Sequence, residues 1–389
     1  MREEAGCKPT IEECRKVLES LVRVNTCQPE GNEGKLVDLI RQMLPEGIEC
    51  RKIDHTPQRA SLIVKVEGDT EEGGLALIGH LDTVACSEQD GWAYPPHQAE
   101  VKGDILYGRG AADMKGGDAA MILTLQQIAQ NGKKPKRPIY FCFTADEESK
   151  GLGICSVVEE QCLGQVEEVI ICEPSDEKIG ICEKGALWLR AEIRGKASHA
   201  SRPELGDNAV EYGIHFANRL REAVEGKKSH SILGEDTVSV TRFGGGVMTN
   251  IIPASAQMEL DIRTIPGTSH DDIIHMAQEI CRETMSMHPA VHMTVEVLNN
   301  RPALETPQDS PFVRRMLEAA ESVGISTKPK GLYFYTDASQ MMSGRQLPFV
   351  IAGPGDDALA HCVNEHISLS SVARYTELYS RYIMEHYYE

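Results

Sequence analysis

The sequence predicts an α/β protein with a mostly parallel central sheet, interrupted by a smaller, inserted ferredoxin-like α+β domain. Three observations predict this. Apolar runs alternate with helical-period segments over the first half of the chain. The middle follows the order β-α-β-β-α-β. After residue 298 the α/β alternation resumes. A chain of 389 residues is long for one core. The main layer is therefore read as discontinuous, residues 1–183 with 299–389, and the insert as 184–298.

In chain order, residues 10–24 and 33–44 carry helical patterns, and strands follow near 61–67 and 75–79. From Gly116 to Gln130, Met121, Ile122, Leu125 and Ile128 recur at helical spacing. The runs Ile139-Tyr140-Phe141-Cys142-Phe143 and Val169-Ile170-Ile171-Cys172 read as buried strands. In the insert, a strand at 186–194 precedes a helix at 207–224, with Val210, Ile214, Ala217 and Leu220 on one face. Strands at 237–243 and 256–263, a helix at 270–286 and a strand at 291–297 complete it. A helix at 310–323, the strand Pro348–Ala352 and a helix at 369–386 close the main layer. There are no internal repeats or low-complexity segments.

Composition narrows the function classes. With 41% hydrophobic and 25% charged residues the chain reads as soluble and globular. No stretch is long and apolar enough to span a bilayer, and the charged start lacks a secretory leader, so a cytoplasmic location is expected. A net charge of −19 argues against nucleic acid and anionic membrane surfaces as partners. The 12 cysteines contain no CxxC pair and read as small buried hydrophobes in a reducing compartment. Cys86 and Cys362, close in sequence to proposed ligands, are read as core or loop filling.

Metal-ligand residue types collect just past three predicted strands: His80-Leu81-Asp82, Asp146-Glu147-Glu148 and Glu173-Pro174. In open α/β sheets that edge is where ligands bind. The spacing of His80 and Asp82 puts both side chains on one face of an extended backbone. His80 is a candidate ligand and Asp82 its orienting partner or near neighbour. In Gly108–Gly117 a glycine-rich loop opens a helix, with a spacing that fits neither GxxxxGK[ST] nor GxGxxG. Asp113 within it is either a helix cap or a carboxylate bridging two cations. Glu147 and Glu148 point in opposite directions on extended backbone, which suits one as ligand and the other as general base; the alternative is a surface acidic turn. His361 is a further candidate ligand, with His366 its competitor, and spacing alone does not separate them. The conjunction points to a hydrolase built around two divalent metals.

These residues resemble the M20 family of metallopeptidases and amidohydrolases, the group of acetylornithine deacetylase and succinyl-diaminopimelate desuccinylase. The resemblance spans essentially the whole chain and rests on HLDT, GRGAADMKGG, TADEES, CEPSD, the segments Gly195–Ala209 and Asn250–Gly267, and HCVNE. It implies one metal on His80 and Glu173, the other on Glu148 and His361, and Asp113 bridging. Glu147 is implied as general base and acid, with Asp82 behind His80. It favours His361 over His366 as the histidine that precedes Asn-Glu. His199 is implied to stabilise the oxyanion, often from a partner subunit, and Asn250 and Arg263 to hold the substrate carboxylate or oxyanion. Thr336 and Gly355 complete the implied substrate contacts. The alternative for His199 is an ordinary surface turn, and for Arg263 a surface ion pair.

The resemblance thus implies a catalytic domain with a lid and dimerisation domain, two divalent ions (zinc, with cobalt or manganese able to substitute) and hydrolysis of the amide bond of an N-acyl amino acid, acetylornithine deacetylase-like. The segment Tyr335–Ser339 departs from the glycine-rich version of desuccinylases. A di-/tripeptidase or carboxypeptidase of the same family is the second reading. A catalytically inactive, metal-dependent binding protein is the third. A homodimer through the lid is expected.

Overall fold

A computed structural model describes residues 8–342 and 347–388. Two compact units emerge. The first takes the chain up to Ile181, then Thr306–Lys330, then everything from Thr336; the second takes Cys182–Glu305 and Gly331–Tyr335. The residue pattern alone assigns that last segment to the main layer. It joins the second unit because Gly331 packs on Leu233 and Cys182, and the Lys184 N–H donates to the Leu332 carbonyl.

The heart of the first unit is four parallel strands in the order Ile139–Thr144, Glu72–His80, Gln165–Pro174, Phe349–Gly353. Their residues are buried on both faces, which is why they read as unbroken apolar runs rather than alternating ones. Antiparallel strands flank this core: Glu49–Asp54 and Ala60–Val66 on one side, Lys178–Glu183 on the other. Register aligns the strand ends. His80 lies opposite Thr144, and Gly353 lies opposite Pro174. The C-terminal ends of all four strands therefore finish in one row.

Helix Gly116–Gln130 is apolar nearly all round and is buried from Ala119 to Leu125. It packs tightly because Gly117 has no side chain: a Cβ there would run into the Cys172 carbonyl oxygen and the Met114 side chain. That close approach brings the preceding loop, and Asp113 with it, onto the strand ends. Helix Ile11–Val22 starts at a capping box in which Thr10 and Glu13 satisfy each other's backbone N–H groups, and it buries Leu18, Leu21 and Val22. Helix Leu369–Ile383 buries Val372, Tyr375 and Tyr379. A wider turn, Met384–Tyr388, follows it.

The second unit is an antiparallel four-stranded sheet in the order Thr237–Gly245, Ser255–Thr264, Gly185–Arg194, His292–Arg301. Along Gly185–Arg194 burial alternates, with Leu187, Leu189, Ala191 and Ile193 facing inward. Helices Ala209–Val224 and His270–Met287 cover that face, contributing Phe216, Leu220, Ile273 and Ile280 to one cluster. The strand ending the unit runs past the expected residue 297 to Arg301, because a bulge between Val297 and Asn299 lets pairing continue.

Candidate metal centre

The row of strand ends assembles a charged pocket within the first unit. His80 donates through Nδ1 to the Asp82 backbone carbonyl, 2.9 Å away. A carbonyl only accepts, so this bond fixes the tautomer and leaves the Nε2 lone pair free for a cation. That nitrogen lies 3.0 Å from Asp113 Oδ1 and 3.3 Å from Glu173 Oε1. His361 Nε2 lies 3.0 Å from Glu148 Oε1 and 3.3 Å from Asp113 Oδ2. Asp113 therefore turns one carboxylate oxygen to each histidine. Its backbone sits in a non-helical kink between the loop and helix Gly116–Gln130. Donor atoms of His80, Asp113 and Glu148 all lie within 4.8 Å of one another. His366, the competing histidine, instead places Nδ1 on the Asn364 carbonyl and its ring against Tyr107.

The electrostatics fit cations. Burial pushes the Glu173 carboxyl up to about 7, against the pull of His80, and the like charge of Asp113 adds to the rise. Burial also raises Glu148, again with Asp113 adding. Burial disfavours a charged His80, but Glu173 and Asp113 outweigh it and raise its pKa, the same negative surroundings that would draw a cation to Nε2. Contacts with Asp113 and Glu148 raise His361 to about 10. Three carboxylates sharing two imidazoles are short of positive charge, and a pair of divalent ions supplies it. Hard carboxylate oxygens with borderline imidazole nitrogens suit zinc, manganese or cobalt. The chain's residues thus fit the two-ion group.

A second layer holds these groups in place, and it is largely invisible in the sequence. The Asp82 carboxylate stands 3.7 Å from His80 Nδ1 and does not orient it directly. It accepts the backbone N–H of Glu147 at 3.0 Å, that of Glu148 at 3.1 Å and the Gln28 amide at 2.8 Å. The expected carboxylate–histidine pairing is thus replaced by a carbonyl–histidine one, and the freed carboxylate seats the acidic turn. That turn enters through Asp146 in the left-handed region, at φ 67. Arg59 holds Asp146 Oδ1 at 2.6 Å and also reaches Glu33 and Gln28.

Glu365, fully buried, accepts from Arg109 at 2.7 Å and from the backbone N–H groups of Gly110, Ala112 and Asp113 at 2.8–2.9 Å. It clamps the loop that carries Asp113. Its position beside Asn364 in the HCVNE segment is the one signal that could have found it. Arg59 and Gln28 sit in polar stretches with no pattern.

The remaining candidates are placed as follows. Glu147 is buried, its backbone fixed on Asp82. Thr336 is buried, and its hydroxyl oxygen accepts from the Ala338 N–H. Gly355, at φ 107, lies over Ala112. His199, Asn250 and Arg263 belong to the second unit. His199 is exposed, its Nδ1 beside Ser201 Oγ at 2.7 Å. Asn250 is exposed too, and its carbonyl accepts the Ala200 N–H. Arg263 pairs with Asp261 through Nε at 2.8 Å, beneath the Tyr335 ring.

Residues 76–385 match the profile of peptidase family M20/M25/M40. A probable succinyl-diaminopimelate desuccinylase of Staphylococcus aureus is 27% identical over 94% of this chain and 95% of its own length. An acetylornithine deacetylase of Vibrio campbellii is 26% identical over 97% of this chain and 99% of its own. Among solved structures, a tripeptidase from Staphylococcus aureus superposes with a TM-score of 0.79 at 21% identity, covering 97% of this chain and 98% of that one. This last likeness is one of fold.

Proposed function

From the premise that the chain belongs to peptidase family M20/M25/M40, and is therefore a hydrolase of amide or peptide bonds, we propose that it removes the acyl group from an N-acyl amino acid, in the manner of an acetylornithine deacetylase. The observation that carries the proposal is the Asp113 carboxylate, with one oxygen on the His80–Glu173 side and the other on the His361–Glu148 side. His80, Glu173 and Asp113 would hold one divalent ion, and His361, Glu148 and Asp113 the other, with zinc as the natural occupant and cobalt or manganese as substitutes. Such ions, when bound, make water acidic and polarise a carbonyl.

The chain's own residues do the rest. Glu147, beside Glu148 on the turn seated by Asp82, takes a proton from the attacking water on its carboxylate. As the carbon–nitrogen bond breaks, it gives that proton to the leaving amine nitrogen. Gln28 and Asp82 keep the turn from swinging away during the transfer. His199 would donate to the oxyanion, Asn250 and Arg263 would hold the substrate carboxylate or the oxyanion, and Thr336 and Gly355 would complete the substrate contacts.

Support for the deacylase reading is the similarity, at comparable identity, to both a deacetylase and a probable desuccinylase. The fold likeness to a tripeptidase favours a second reading, cleavage of a small peptide with a free amino group. The test is turnover of zinc-loaded protein on acetyl, succinyl and carbamoyl amino acids beside di- and tripeptides. Hydrolysis confined to peptides would replace the first reading with the second. Bound metal with no turnover on any of them would turn the protein into a binding protein.

We place the enzyme in the cytoplasm, consistent with described cysteines that are all free and with no described helix long and apolar enough to cross a membrane. A homodimer through the second unit is supported by its outer strand Thr237–Gly245, an open sheet edge on which Phe243 is exposed, and by Val247 and Met248, exposed just after it. A monomer mass by light scattering would contradict it.

A further inference from the structure

Away from the carboxylates, the first unit brings three softer donors together. Cys27 Sγ and Cys86 Sγ lie 3.4 Å apart, and His97 Nε2 lies 3.7 Å from each sulfur. Cys86 and His97 are 59 and 70 positions from Cys27 in sequence. No local turn explains the encounter. Cys142, Cys172 and Cys182 show the contrasting case: each is buried within a strand.

The triangle has the dimensions of a coordination sphere. With zinc–sulfur bonds of about 2.3 Å and zinc–nitrogen bonds of about 2.0–2.1 Å, donors at a tetrahedral ion stand about 3.6–3.8 Å from each other. The two sulfur–nitrogen edges, at 3.7 Å, fall within that range, and the sulfur–sulfur edge, at 3.4 Å, lies about 0.2 Å below it, so the sulfurs need to part only slightly. A disulfide needs the sulfurs at about 2.05 Å, and it would leave His97 without a role. The other ring nitrogen, His97 Nδ1, is buried with no hydrogen-bond partner. The ring's direction is therefore set at its sulfur-facing end. The His97 segment is also anchored, since the preceding residue, Pro96, accepts the Arg109 N–H at 2.8 Å. The Thr83 hydroxyl, 3.4 Å from Cys27 Sγ, donates to the same sulfur.

The geometry points to a third metal site, in which Cys27, Cys86 and His97 hold one thiophilic divalent cation of the zinc class, with a water as fourth ligand. No oxidant or reductant is involved. Each thiol loses its proton to solvent as its sulfur–metal bond forms, and His97 binds as the neutral ring. The donor set differs in kind from the carboxylate-rich pair, so soft ions sort to it.

Its position gives the site a task. Cys27 bridges to Thr83, and the Gln28 backbone N–H donates to the Thr83 carbonyl at 2.8 Å. From there the Gln28 side chain reaches Asp82. A cation on Cys27 would fix the backbone from which Gln28 holds the acidic turn.

The test uses the full chain, stripped of metal under reducing conditions and titrated with cobalt(II). Thiolate-to-cobalt charge transfer absorbs in the near ultraviolet, where carboxylate and histidine ligation gives no such band. The wild-type protein should develop that band with the intense visible spectrum of a tetrahedral ion. Cys86→Ser should lose the band and bind one equivalent fewer. His97→Ala, which keeps both sulfurs, should keep a band but weaken cobalt at that site by at least the 10–100-fold that loss of an outer partner costs. Circular dichroism identifies any variant that fails to fold, and with two independent variants one misfolded protein leaves the other decisive. Absence of the band in wild type, or its survival in Cys86→Ser, overturns the site. So does a chain whose Cys27 and Cys86 titrate as free thiols under the reductant but that takes up no cobalt through sulfur. Because the band reports sulfur alone, failure here leaves the proposed amide hydrolysis untouched, and the reverse also holds.

Discussion

The two units secure their candidate functional residues in opposite ways. In the first, each charged group is held by partners far along the chain: Asp113 by Glu365, the Glu147–Glu148 turn by Asp82, Asp146 by Arg59. These side chains are buried, so every lost partner leaves a desolvated charge or N–H group behind. In the second unit, His199 leans on Ser201 two residues on, and Arg263 on Asp261 two residues back. The first design fixes geometry at the risk of stability. The second leaves side chains free to turn toward a ligand at little cost. The difference teaches where a substitution should hurt folding and where it should hurt only turnover.

The sharpest break in that comparison is Glu147→Gln. With the carboxylate replaced by an amide of the same shape, turnover should fall about 10²–10⁴-fold, while metal content by mass spectrometry stays at the wild-type level. Retained activity would remove Glu147 from the proton transfer. In the second unit, His199→Ala should lower kcat about 10²–10³-fold, the usual cost of one oxyanion donor, with no change in the denaturant midpoint, since the side chain is exposed. A drop in stability with normal turnover would make His199 an ordinary turn residue.

Gln28→Ala lies between these two units' extremes. It removes one of three hydrogen bonds that the Asp82 carboxylate accepts, and metal affinity should weaken about 10–100-fold, read by competition with a chelating dye. The smallest effect is expected at Arg190 on the second unit's sheet. Its cross-strand pairs with Glu259 and Glu296 are partly solvated, so Arg190→Ala should shift unfolding by no more than about 1 kcal/mol. A larger loss would show that the second unit also relies on long-range charge.

The legibility of the fold follows the same division. The parallel strands could be read because burial on both faces demands unbroken apolar runs, and the second unit because alternation and helical spacing repeat there without interruption. The strands Glu100–Lys102, Ile105–Tyr107 and His366–Ser368 pair into a small sheet, but three residues carry no period. Helix Leu152–Glu159 is too short and too uniformly apolar to show a stripe. Lys178–Glu183 follows the Glu173 turn so closely that it merges with it.

In the pocket, His80, Glu148 and Glu173 are marked by residue type at strand ends. Their supports are not. Gln28, Arg59 and Glu365 act across 54 to 256 residues, and a polar residue serving a distant partner leaves no local trace.

The Glu365 clamp sets an order of events during synthesis. The loop that presents Asp113 takes its shape from a side chain made 252 positions later in the chain. His361 and the strand Phe349–Gly353 are made close to it, also long after the loop. A nascent chain that has not yet reached these residues lacks these parts, however well its earlier strands have collapsed. Loading with cations at Asp113 therefore waits until residue 365 has been made and folded back onto the loop.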